Sequence, residues 1–275
     1  MDYFWIIRMT VNVVCMKWGA KFGPEYVNRL AGMVRRNLRA PYRFACFTDD
    51  AQGLDRRIEA YPCPEVRLPS GYPERGWRKL GIFSDPLADL EGPALFLDLD
   101  VAILGQLDAF FEHRADDSAH ANSADSADSP GLAAGGGGFV MADDWDFPRR
   151  TVGNSSIFRF RVRGHADVLR DFVDNGSGIR KRFRNEQAYL THAMRRKGAL
   201  SFWPEAWVRS FKRHCLRPFP LCWFQTPRPP PGVRVVAFHG RPRPDEAMRG
   251  WTGKMGLRHV IPPDWLKTAW EAAEA

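Results

Sequence analysis

Residues Ala94 to Leu104 read Ala-Leu-Phe-Leu-Asp-Leu-Asp-Val-Ala-Ile-Leu, an apolar run broken by two carboxylates. Such a run belongs inside a fold, where ionised carboxylates are costly unless something compensates them. As one continuous strand it would send Asp98 and Asp100 out of one face and Leu97 and Leu99 out of the other. Two like charges side by side raise the cost further. A divalent cation is the usual compensation, and oxygen donors select a hard ion such as Mn²⁺ or Mg²⁺. At the carboxyl end of a strand in an open α/β sheet, that ion sits where nucleotides bind. The spacing alone is not distinctive, because Asp144-Trp145-Asp146 repeats it; the flanking Leu-Phe-Leu and Val-Ala-Ile set the first triplet apart. The bland alternative is a strand end whose carboxylates cap the next turn.

The rest of the chain reads as strands alternating with helices, the pattern of an α/β domain. Ile6 to Met16 predicts a first strand and Tyr42 to Thr48 a second, with a helix from Pro24 to about Leu38 between them. Pro24 suits a first helical turn, and Glu25 complements the positive end of the helix dipole. The intervening loop, Lys17 to Gly23, lacks both Gly-x-Gly-x-x-Gly and Gly-Lys-Ser/Thr, which disfavours the dinucleotide fold and the P-loop. Arg56 to Tyr61 suggests a short strand, Trp77 to Phe83 a helix leading to the carboxylate pair, and Gln106 to His113 an amphipathic helix. Residues 114–138, rich in Asp, Ser, Ala and Gly, have almost nothing to bury and predict a flexible insertion. Strands are expected at Phe139 to Ala142, Asn154 to Phe160, Leu200 to Trp203 and Val233 to His239. Helices are expected at His165 to Asn175, Asn185 to Lys197 and Asp264 to Ala275.

His239 ends the last of these strands, and Gly240 lets the chain pass close to a neighbour. Arg241 and Arg243 follow, with donors suited to phosphate oxygens. His239 by itself reads as a structural histidine; joined to Asp98 and Asp100, it completes an Asp/Asp/His cation site with positions left for phosphates.

The early β-loop-α-β unit, the Asp-x-Asp after an apolar strand and the late His-Gly-Arg-Pro-Arg-Pro together resemble the GT-A glycosyltransferases, especially those related to family 8, the glycogenin and galactosyltransferase group. The likeness spans about Val11 to Pro244 and implies an α/β fold with one mixed central sheet flanked by helices. It also implies a nucleotide-sugar donor, UDP-linked by preference, held through Mn²⁺ or Mg²⁺ on Asp98, Asp100 and His239. Lys79 resembles the family's lysine ahead of the Asp-x-Asp, with its cation facing the nucleotide. Lys17 and either Trp18 or Tyr26 would meet the nucleotide from the first loop and helix, a ring stacking on the base, while Thr48 and Asp49 reach base or ribose. Gly240 and Arg243 would lie against the diphosphate. Asn154, within Asn154-Ser155-Ser156, and Glu186-Gln187 resemble family segments beside donor and acceptor, with Ser156 standing where the family has Gly. Inverting transfer would need a carboxylate base, Asp144 or Glu186; retaining transfer, which the family favours, would use Gln187 or Asn154 only to orient or stabilise.

Under this reading residues 1–113 form the nucleotide-binding half, 139–250 the acceptor-side half, and 251–275 a helical tail. Two other classes share parts of the pattern. A nucleotidyltransferase pairs a nucleotide fold with metal carboxylates but carries a Gly-rich signature loop, which Lys17 to Gly23 matches poorly. A non-catalytic anion or nucleic-acid binder accounts for the net charge of +8 but not for the carboxylate pair, and no nucleic-acid motif is present. Five scattered cysteines suit free thiols in a reducing cytoplasm. Asp2 and Arg8 argue against a signal peptide over Met1 to Cys15. The expected acceptor is a saccharide, a lipid-linked sugar or a protein, with the positive charge and Trp-rich tail leaning towards peripheral contact with the inner face of a membrane.

Overall fold

The computed structural model describes residues 10–74, 76–113, 138–147 and 149–271. The expected insertion at 114–138, apart from Gly138, lies outside the described residues, as do Ile6–Met9 of the first expected strand and the last four residues of the tail. Among the described residues the chain runs β1 (Val11–Lys17), α1 (Pro24–Asn37), β2 (Tyr42–Thr48), β3 (Glu59–Pro62), a 3₁₀ segment (Trp77–Phe83), β4 (Pro93–Leu97), β5 (Val101–Ile103) and α2 (Asp108–Glu112). It continues through β6 (Phe139–Asp143), β7 (Gly153–Arg161), α3 (Ala166–Arg182), α4 (Glu186–Arg196), β8 (Leu200–Phe202) and β9 (Val208–Ser210). The last elements are β10 (Val235–Ala237), α5 (Pro244–Arg249), β11 (Trp251–Thr252), β12 (His259–Val260) and α6 (Asp264–Glu271).

A mixed seven-stranded sheet in the order β3-β2-β1-β4-β7-β6-β8 forms the centre. The first four strands are parallel, β7 is antiparallel to both β4 and β6, and β8 runs parallel to β6. Alternation along each strand feeds two cores. Val11, Val13 and Cys15 of β1, with Leu95 and Leu97 of β4, meet Val27, Leu30, Met33 and Val34 of α1 on one face. Val14 and Met16, with Ala94 and Phe96, meet Phe172 of α3 and Leu190 and Met194 of α4 on the other. Burial on both faces explains why the strands read as nearly continuous apolar runs.

The expected strand through Ala94 to Leu104 is divided. β4 ends at Leu97, Leu99 and Asp100 form a turn, and β5 leaves the main sheet to join β10 and β9 in a second, three-stranded sheet. The two carboxylates therefore do not share a strand face. They sit on the turn that carries the chain from one sheet to the next. Trp77–Phe83 is a 3₁₀ segment rather than an α-helix, and α3 runs past Asn175, through a kink there, to Arg182. Residues 251–263, expected as the start of a helical tail, instead hold the short β11–β12 pair. The tail helix itself forms as α6 and packs inward, with Leu266 and Trp270 fully buried.

Candidate active site

Lys17, Thr48 and Asp98 all stand at the carboxyl ends of parallel strands, β1, β2 and β4, on the edge of the sheet where open α/β folds bind ligands. The Asp98–Asp100 turn is held from both sides. The Asp98 N–H donates to the Ser156 carbonyl of β7 at 2.8 Å, and the Asp100 carbonyl accepts from the Phe238 N–H just past β10 at 3.0 Å. This places the carboxylate pair between the middle of the main sheet and the end of the second one.

On the inner side of the turn lies Lys79, 4% exposed, in the 3₁₀ segment. Its ammonium is 2.8 Å from Asp98 Oδ1 and 3.8 Å from Glu186 Oε1, and it donates to the Ser155 carbonyl at 3.0 Å and the Ser155 hydroxyl oxygen at 3.1 Å. The Ser155 hydroxyl donates in turn to Glu186 Oε1 at 2.8 Å. Burial alone would lower the lysine's pKa, but the charges of Asp98 and Glu186 outweigh it and hold the group above its ordinary value. Gly76 is needed beside this cluster: a Cβ there would stand 2.7 Å from the Glu186 carboxylate.

Asp100 is buried, and burial first, then the charge of Asp98, pushes its pKa up to about 7, with Lys21 and Lys79 opposing. A hard cation would relieve this cost, and the donor set of two adjacent carboxylates suits one. His239 is not assembled with them. Its Nε2 is hydrogen-bonded to the Ser210 hydroxyl at 2.6 Å and its ring stacks on Trp145 with centroids 5.6 Å apart. Burial, then Lys212, lowers its pKa to about 4, which keeps the imidazole neutral as a metal ligand must be. Among the described residues no three His, Cys, Asp or Glu side chains converge as a ready metal site. The residues fit a cation at Asp98 and Asp100, with His239 beyond that pair.

Cations gather around His239. Lys212 and Arg213 follow β9, and both, with Arg258, act on the imidazole through their charges. Gly240 is in the left-handed region at φ 77°, and Lys212 Nζ lies 3.4 Å from where its Cβ would be, so the close approach expected of this glycine is to a lysine. Arg213 is also paired with Asp146 at 2.6 Å. Next to it Asp144, 8% exposed, accepts from the Gln187 side-chain amide at 2.6 Å and from the Asp146 N–H at 2.8 Å. Asn154 turns its Oδ1 onto the Ser156 N–H at 3.0 Å.

In the first loop, Lys17 donates to the Asp50 carbonyl at 3.0 Å, and Thr48 Oγ1 donates to the same oxygen at 2.8 Å. Asp49 accepts from the Gly19 N–H at 2.8 Å. Trp18 is half-buried beside the α3/α4 core. Tyr26 is not a stacking platform. Only 5% exposed, it packs with Phe22 and Trp270 and donates its hydroxyl to Asp245, and burial followed by that bond raises the phenol's pKa. Arg243 donates to the Lys21 carbonyl at 3.2 Å and lies over Phe22, tying the start of α5 to this loop. Sequence reasoning missed Ser210, Lys212, Arg213 and Arg258; the visible signal was the basic run Lys212-Arg213-His214 after a short strand. Of the basic run Arg180-Lys181-Arg182, Arg180 is buried, lies over Tyr72 and Trp77, and donates to the Pro73 carbonyl.

No protein-family model and no curated protein sequence matches the chain. Solved structures do. The galactosyltransferase LgtC, in complex with donor and acceptor sugar analogues, superposes with a TM-score of 0.53 over 96% of this chain and 93% of its own, at 13% identity. The glycosyltransferase GlyE of Streptococcus pneumoniae TIGR4 gives 0.56 at 13% identity over 97% of this chain, which spans 61% of GlyE's length. An active-site mutant of LgtC gives 0.54 over 92% of this chain and 98% of its own, at 13% identity. The seven-stranded mixed sheet and this near-complete coverage show that the chain has the GT-A fold, as the galactosyltransferase LgtC does.

Proposed function

We propose that this chain transfers a sugar from a nucleoside-diphosphate sugar, UDP-linked by preference, to a hydroxyl acceptor, with retention at the anomeric carbon. The observation that carries the proposal is the Asp98–Asp100 turn, clamped between β7 and β10 at the carboxyl edge of a GT-A sheet. When bound at Asp98 and Asp100, a divalent ion neutralises charge on the donor's diphosphate.

The chain's own residues account for the rest. As the bond from anomeric carbon to diphosphate breaks, negative charge grows on the departing phosphate, and the cations beside His239, Lys212 and Arg258 above all, are placed to stabilise it. Lys79 is paired with Asp98 and lies near Glu186, so its charge offsets both carboxylates. Trp18 offers a face for the base, while Thr48 and Asp49 stand beside it for base or ribose. Both Asp144 oxygens already accept hydrogen bonds, from Gln187 and Asp146, and Glu186 is taken up by Ser155 and Lys79. Neither carboxylate is poised to remove an acceptor proton, which favours retention; Asp144 instead stabilises positive charge developing near the sugar.

The test is isothermal titration of UDP, with and without Mn²⁺, into wild type and the Asp98→Asn/Asp100→Asn variant. Mn²⁺-dependent binding, weakened in the variant by about tenfold to a hundredfold, is the expected result. A folded wild type that binds no nucleoside diphosphate with Mn²⁺ present overturns the reading.

A further inference from the structure

Eight large apolar side chains are exposed among the described residues, and six of them, Phe219, Leu221, Trp223, Phe224, Met255 and Leu257, lie on two loops. The loops are pinned together. Trp223 Nε1 donates to the Gly256 carbonyl at 2.9 Å, and its ring stacks on His259 with centroids 4.1 Å apart. They therefore make one patch rather than scattered exposures. Phe224 is 79% exposed and Met255 90%, so these side chains project outward instead of lying along the surface. The surrounding segments, 211–231 and 250–263, contain six lysines and arginines and no Asp or Glu. Arg217, Arg228, Lys254 and Arg258 among them are exposed.

We propose that this patch docks the chain on an anionic lipid bilayer. The rings and Met255 enter the boundary between headgroups and acyl chains, and Arg217, Arg228 and Lys254 meet lipid phosphates. Projecting apolar side chains flanked by exposed cations are the composition of an interfacial membrane surface. A bilayer accepts projecting rings without shape matching, whereas a protein partner would need an acidic concavity to receive them. The Trp-rich tail is not the docking element, because Trp270 of α6 is buried with its Nε1 on the Val101 carbonyl and Trp265 Nε1 donates to the Pro227 carbonyl. The docking face also borders the candidate site, since the Arg258 charge bears on both His239 and Lys212. A hydroxyl acceptor anchored in the same bilayer would arrive beside the donor; this corollary rests on the transferase reading, and the docking does not.

The experiment is co-sedimentation of the full chain with vesicles of phosphatidylcholine alone and of phosphatidylcholine with phosphatidylglycerol. Two variants accompany it, Phe219→Ser/Phe224→Ser/Met255→Ser and Arg217→Gln/Arg228→Gln/Lys254→Gln, with UDP titration as a separate readout of an intact site. Wild type should partition onto the anionic vesicles, and each variant should bind them about tenfold or more weakly, with added salt weakening the wild type. Unchanged UDP binding by the apolar variant keeps a docking failure distinct from a failed transferase reading. Wild type that stays in the supernatant with anionic vesicles overturns the proposal. So does an apolar variant that sediments like wild type, or a patch that proves to close a lipid-independent dimer.

Discussion

Removing the Lys79 ammonium would leave Glu186 and Asp98 with no cation among the described residues at hydrogen-bonding distance. Lys79→Ala should therefore lower the unfolding free energy by about 3 kcal/mol, read from the urea midpoint, Asp98 being partly exposed and so partly repaid by water. The double variant Lys79→Met/Glu186→Gln should recover part of that loss, because it no longer strands the more buried carboxylate; a double variant as unstable as Lys79→Ala would show that packing, not charge, is at stake. At this scale the sequence is legible where chemistry is concentrated in neighbours, as at Asp98 and Asp100. It is opaque where a side chain's surroundings come from far along the chain. Tyr26 read as a candidate ring for a base, yet Asp245 and Trp270, more than two hundred residues later, enclose it.

Elements were readable in proportion to their length and to how much of their pairing is local. β2 falls on Tyr42–Thr48 as its apolar run predicts, and α1 starts at Pro24 with Glu25 in its first turn. β9, three residues followed by a basic stretch, carries no periodicity of its own and forms because β10 lies beside it. The division between β4 and β5 is likewise set by a partner, β10, and not by the local run. Helix α6 holds that second sheet against α1: Trp270 is fully buried and donates to the Val101 carbonyl of β5. Trp270→Ala should cost about 3–5 kcal/mol in chemical denaturation, and amides of β5 and β10 should lose hydrogen-exchange protection before those of β1 and β2. Equal loss across all four strands would mean that the two sheets unfold as one unit.

For the whole molecule, acid should act through a buried imidazole as well as through carboxylates. His165 is 5% exposed between Phe83, Phe139 and Lys197, and burial, then the Lys197 charge, lowers its pKa to about 4. Its unfolded value is near 6.5, so above that pH it is neutral in both states and contributes no slope. Between pH 6.5 and 4 the unfolded chain takes up the proton and the folded one does not. Stability thus falls as pH drops, by about 3 kcal/mol in total, and levels off below pH 4. His165→Phe should remove that part of the acid slope in urea titrations at pH 7, 5 and 4; an unchanged slope would place the proton uptake elsewhere. The α/β class and the parallel first half were readable from alternating runs. The second sheet was not, because β5, β9 and β10 each contribute three residues and find one another only in three dimensions.

The clamp on the Asp98–Asp100 turn has a consequence for the order in which a new chain matures. Every strand of the seven-stranded sheet has been synthesised once Phe202 has been added, but the Phe238 amide that holds the far side of the turn comes later. A nascent chain can close its main sheet while its carboxylate pair is tethered from one side only. The second tether of the turn then waits for the last stretch of synthesis, which makes the carboxylate pair among the last parts of the fold to be fixed.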